Sequence, residues 1–144
     1  MSGNLDDITH VIQLAVAPVF LLTAIATLIN AMNVRLGRIV DRRRVVREQL
    51  RHPGTDDADE AREEMRLLAR RSRLVYLSIL FAVLSALLVC LVVAGAFVGA
   101  MLSAKLAQTV AGLFVAAMFA MILSLSLFLR EIYLAVRTGS HYRR

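Results

Sequence analysis

RLGRIVDRRRVVREQLRHPGTDDADEAREEMRLLARRSR, residues Arg35–Arg73, holds twelve of the seventeen basic residues of a 144-residue chain. Apolar runs long enough to cross a bilayer lie on both sides of it. Carrying so many guanidinium groups through hydrocarbon is costly, so a short arginine-dense loop between two spans stays in the cytoplasm. That assignment orients the rest: N-terminus outside, residues 33–73 inside, a short turn outside, C-terminus inside.

Working outward, the composition is not that of a soluble domain. Hydrophobic residues make up 58% of the chain and the mean hydropathy is +0.66. They are gathered in long runs rather than spread at core periodicity. The net charge is +6. Its positive part falls almost entirely in the central segment and the tail that begins at Arg130, as a membrane topology requires. The high isoelectric point therefore needs no nucleic acid to explain it. The single cysteine, Cys90, lies in an apolar run and reads as a packing residue. No basic residue precedes the first apolar run, which reads as an N-out anchor rather than a cleaved leader.

The expected fold is an all-α membrane protein, one membrane domain over residues 1–144. Its three transmembrane helices run over about 8–32, 74–102 and 109–129. The first two extend into a cytoplasmic antiparallel helical hairpin over about 33–73. Helix formers and an apolar stripe (Leu36, Ile39, Val40, Val46, Leu50) carry the first helix onward, with Pro18 expected to kink it. His52-Pro53-Gly54 breaks it, and Asp57 with Glu60 forms a capping box for the next helix. Ala58, Ala61, Met65, Leu68, Ser72, Val75 and Ile79 follow at three- and four-residue steps, a seam for packing one arm of the hairpin on the other. Rows of small residues mark the later spans: Ser78/Ala82/Ala86/Cys90/Ala94, Gly95/Gly99/Ser103 and Gly112/Ala116/Ala120/Ser124. Gly95, Gly99 and Gly112 are the expected close helix approaches.

Three stretches carry a resemblance: residues 10–22 (HVIQLAVAPVFLL), 33–42 (NVRLGRIVDR) and 67–71 (LLARR). Together they resemble domain-of-unknown-function family 2721 of small three-span bacterial inner-membrane proteins. The resemblance implies a three-span fold in the bacterial inner membrane and no established activity.

The first span is unusually polar. At about 100° per residue, Gln13, Thr23, Thr27 and Asn30 share one wedge, which Arg38 and Asp41 continue into the polar segment. Polar groups in hydrocarbon must face protein or water. The stripe reads first as interhelical hydrogen-bond glue and second as a pore lining, with Arg38 and Asp41 as inner-mouth charges. Either way it needs partners, so a homo-oligomer is expected. Within the hairpin, Asp41 is expected to pair with Arg70 or Arg71. Arg42, Arg43, Arg44 and Arg47 suit anionic lipid headgroups. His10 at the start of the first span reads as solvated before it reads as a proton carrier or ligand. No paired carboxylates, nucleophile set, phosphate-cradling glycine loop or metal-spaced cluster occurs, so neither an enzyme nor a cofactor or metal site is expected.

Two function classes remain open: a homo-oligomeric ion channel or pore lined by the first span, and a structural or adaptor protein whose arginine-rich hairpin binds a partner or anionic lipid. Membrane lipids and further copies of the chain are the expected partners. No nucleic acid is expected, and no protein partner can be named.

Overall fold

The computed structural model describes residues 2–52, 58–102 and 106–139. They form three helices: α1 (Ser2–Arg51), α2 (Ala58–Leu102) and α3 (Ala107–Gly139). All three are long and apolar enough to cross a membrane, which makes a multi-pass membrane protein. The first two far exceed that need. At a rise of about 1.5 Å per residue, a 50-residue α1 is about 75 Å long, against a hydrocarbon core of about 30 Å. As its propensities indicate, α1 runs on past the first apolar run without a break and contains Pro18. The Pro53-Gly54 breaker, the Asp57 cap and the turn residues Ser103 and Lys105 lie outside the described residues. The third helix continues ten residues beyond the end of its apolar run at Leu129.

Which face of each helix is buried follows one rule. On α1 the buried residues are Ile25, Met32, Ile39 and Val46; on α2 they include Leu68, Val75, Ala82 and Val89; on α3 they include Ala117, Ser124 and Glu131. Each set recurs every seven residues. A second α2 set, Ser78, Ser85 and Val92, keeps the same interval three residues out of phase. These are the a and d seats of a heptad, the pattern of left-handed coiled-coil packing.

That rule corrects the reading of the small-residue rows. A four-residue step turns the helix by about 400°, so such a row drifts about 40° per step around the axis. Ser78 and Ala82 are accordingly buried, whereas Cys90 and Ala94 are exposed. In α3, Ala120 and Ser124 are buried, while Gly112 and Ala116 face outward. The first row thus starts on a packing face and leaves it, and the α3 row starts outside and reaches one.

Packing divides the chain into two compact units, Met1–Ile29 with Phe81–Ile122, and Asn30–Leu80 with Leu123–Arg144. The core of the first is Ile25, Ala82, Val89 and Ala117, with Leu21, Leu22, Ile29, Ala86 and Met118 packed against it. Small residues bring its helices close. A Cβ built on Gly95 would meet Val110 Cγ2 at 3.2 Å, whereas one on Gly112 would meet nothing within 4 Å. Gly95 is thus the crossing glycine within this unit, and Gly112 is not. Gly99 is half-buried. Ser85 Oγ donates to Ala117 O at 2.8 Å, joining α2 to α3.

The second unit buries Met32, Ile39, Val46, Leu68 and Val75. The seam expected on α2 holds here: none of Ala58, Ala61, Met65, Leu68, Ser72, Val75 and Ile79 is exposed. Val40, expected on the α1 stripe, is exposed, because it follows the buried Ile39 by about 100° of rotation. Ser124 Oγ donates to Ser78 O at 2.7 Å.

Candidate anion site around a buried glutamate

Glu131 is fully buried. It follows Ala117 and Ser124 at seven-residue steps, so helix register places a carboxylate where an apolar side chain would normally sit. A buried charge without a partner is expensive. Two other seats on the same framework supply partners. Arg71 precedes the buried Ser78 by seven residues. Arg35 follows the buried Met32 by three. Arg71 donates from Nε and Nη2 to Glu131 Oε1, at 3.2 and 3.0 Å. Arg35 donates from Nη1 to Glu131 Oε2 at 3.0 Å. One residue from each helix therefore forms a charged layer, in which both carboxylate oxygens are bonded and one positive charge is in excess. The Arg35 guanidinium also lies 5.5 Å from the centre of the Phe128 ring, within cation–π range.

Above this layer is a recess of about 330 Å³, lined by Arg35, Arg38, Ile39, Arg42, Leu68, Arg71, Glu131 and Ala135. Arg42 is engaged by Glu64, with Nε 2.6 Å from Oε1 and Nη2 3.2 Å from Oε2, a bidentate pair at a more exposed position. Arg38 is exposed and has no hydrogen-bonding or ionic partner among the described residues.

The geometry revises the expected ion pairing. Asp41 is exposed and makes no ion pair among the described residues; Arg71 closes on Glu131, and Arg70 is exposed. The reason is angular. Asp41 is two residues past the buried Ile39, about 200° around α1, and so turns away from the face that meets the other helices. Glu131 was the missed residue. It is the only acid after Glu64 in the chain, and the seven-residue interval from Ala117 and Ser124 was the signal that could have found it.

The other singled-out residues are distributed as follows. Gln13, Thr23, Thr27 and Asn30 are all exposed, so the stripe does not face the chain's own helices. Thr23 Oγ1 donates to Val19 O at 3.1 Å and Thr27 Oγ1 to Thr23 O at 2.9 Å, satisfying both hydroxyls within α1. Among the lipid candidates, Arg44 and Arg47 are exposed, Arg42 is held by Glu64, and Arg43 is half-buried with Nη1 3.5 Å from Ser72 Oγ. The buried Arg43 Nε has no hydrogen-bond partner among the described residues. His10 and Cys90 are exposed. No group of three His, Cys, Asp or Glu gathers among the described residues.

No curated protein and no solved structure matches the chain. A family model does match it, over residues 15–140, which takes in α1 from Ala15 onward, all of α2 and α3, and every residue of the charged layer. The chain belongs to the family described as Protein of unknown function (DUF2721).

Proposed function

We propose that the chain is a structural or adaptor protein of the bacterial inner membrane, with its N-terminus outside and its C-terminus in the cytoplasm. In this reading, α1 beyond Met32 and α2 before Leu74 form an antiparallel cytoplasmic hairpin whose arginine face rests on anionic headgroups. One observation carries the reading. Arg38, Arg44, Arg47, Arg66, Arg70 and Arg73 are exposed and unpartnered among the described residues, while among the described acids of residues 35–73 only Asp41, Glu60 and Glu63 are in the same condition. Internal ion pairs thus leave a surplus of free guanidinium groups beside the apolar runs. Each such charge near an anionic surface contributes about 1 kcal/mol.

The test compares thermal stability of the purified protein in neutral detergent with added phosphatidylglycerol or phosphatidylcholine. Wild type is expected to gain more from phosphatidylglycerol. Replacing Arg44, Arg47, Arg66 and Arg73 together by Gln should remove that preference. Equal response to the two lipids would defeat the reading. Topology is tested separately: a reporter fused after Arg144 should report cytoplasm, and a cysteine placed at Ser103 should label from outside.

A second reading, a homo-oligomeric channel, is favoured by Gln13 and Asn30. Both are exposed within the apolar run of α1 and have no hydrogen-bond partner among the described residues, and polar side chains at membrane depth are costly unless they meet protein or water. Copies of the chain would supply those partners. Asn30→Leu should then abolish flux through reconstituted liposomes, and Arg38→Glu should shift anion–cation preference. Absence of wild-type flux above empty liposomes, across voltage and pH, would remove this reading.

A further inference from the structure

We infer that the recess bounded by Arg35, Arg38, Arg42 and Arg71 is a binding site for a single phosphate group, carried by a soluble phosphate ester or by a lipid headgroup. The site goes beyond the lipid-resting face proposed above and does not depend on it.

Four guanidinium groups line the recess against one lining carboxylate, Glu131. Glu64 offsets Arg42 through its bidentate pair. The remaining excess is about two positive charges, which a phosphate monoester balances in full and a singly charged phosphodiester headgroup balances by half. Donors are also left over. Arg35 commits Nη1 to Glu131 and Arg38 commits nothing. Planar guanidinium forks match the oxygen geometry of phosphate, and arginine is favoured wherever two parallel bonds to such a group are made.

The glutamate supports the assignment. Holding Arg35 and Arg71 from a fully buried position, Glu131 fixes two guanidinium groups before any ligand arrives. Less side-chain freedom then remains to be lost on binding. Its two partners are still partly open to the recess, with side-chain exposures of 41% for Arg35 and 24% for Arg71. The volume of about 330 Å³ lies at the small end of ligand sites, which run from about 300 to 1,000 Å³. That suits a headgroup or a small ester rather than a nucleic acid. Ile39, Leu68 and Ala135 supply an apolar wall on which the non-phosphate part of the ligand can lie.

The test uses the full chain in neutral detergent, with inorganic phosphate as the first probe and sodium chloride at matched ionic strength as its control. Thermal stability and the ³¹P linewidth are followed, and delipidated protein is then offered phosphatidylglycerol or phosphatidylcholine and weighed by native mass spectrometry. If the ligand is soluble, phosphate stabilises saturably where chloride does not. If it is a lipid, one phosphatidylglycerol is retained per chain instead.

In both cases Arg38→Gln should weaken binding by about tenfold or more, while Arg51→Gln, at an exposed arginine outside the recess that pairs with Glu48, leaves it unchanged. Arg38 has no internal partner among the described residues, so this variant is expected to fold. Ala135→Phe offers an independent check, since it fills the recess while keeping every charge, and it should also block binding. Equal loss on Arg38→Gln and Arg51→Gln would mean general charge attraction and overturn the site. No response to phosphate beyond ionic strength, with no retained phosphatidylglycerol, would also overturn it. Loss on Arg38→Gln alone, with the lipid preference indifferent to the four-arginine variant, would keep the recess and defeat the lipid-resting face.

Discussion

The two units of this protein settle the same packing problem with opposite chemistry. In the first, seats on the heptad framework are filled by Ile25, Ala82, Val89 and Ala117, with Gly95 allowing close approach to Val110. In the second, the equivalent kind of seat on α3 holds Glu131, answered by Arg35 and Arg71. An apolar seat contributes to stability wherever it packs well. A buried ion layer contributes little net stability, because desolvation cancels much of the attraction, yet it is unforgiving of a missing member.

The largest expected effect separates the two units at once. Glu131→Ala leaves two arginines without their shared partner and should cost about 3–5 kcal/mol, read as a fall in melting temperature in detergent. Replacing Arg35, Arg71 and Glu131 together by Leu should recover most of that loss. If the triple variant remained as unstable as the single one, the layer would be a net source of stability and the contrast between the units would weaken.

In the apolar unit, Gly95→Leu should cost about 1–3 kcal/mol by overpacking against Val110, seen in the same melt. Gly112→Leu, at an open position, should change the monomer little. A lowered oligomer state in that variant would assign Gly112 to a contact between copies.

Smaller effects compare like with like. Ser85→Ala and Ser124→Ala each delete one interhelical hydrogen bond, one per unit, and should cost about 0.6 kcal/mol apiece. A markedly larger loss for Ser124 would show that it also steadies the charged layer seven residues away. The smallest effect is expected at Asp41. With no partner among the described residues, Asp41→Asn should stay within about 0.5 kcal/mol of wild type, and strict additivity with Arg70→Gln should follow in a double-mutant cycle.

Some of these features were open to reading in advance and some were not. Apolar runs bounded by arginines were enough to find three helices, and strong helix formers from Val34 to Leu50 were enough to carry α1 through the polar segment. The α2 seam from Ala58 to Ile79 was legible because its spacing keeps to one face. Four-residue small rows misled, since they drift off the face within three steps. The pairing of Asp41 with Arg70 or Arg71 failed for a related reason: all three lie in the arginine-rich segment, but of them only Arg71 occupies a core seat, and the acid in register with it lies sixty residues away in sequence.

By itself, then, the sequence determined the three helices, the unbroken run of α1 into the polar segment and the segregation of charge, because hydropathy, helix propensity and charge are properties of consecutive residues. Only the tertiary structure decided which carboxylate is buried, which arginines it holds and which arginines remain free. Those outcomes depend on which turns of three separate helices come level with one another, and a low-dielectric core admits a charge only where opposite charges meet it at hydrogen-bond distance.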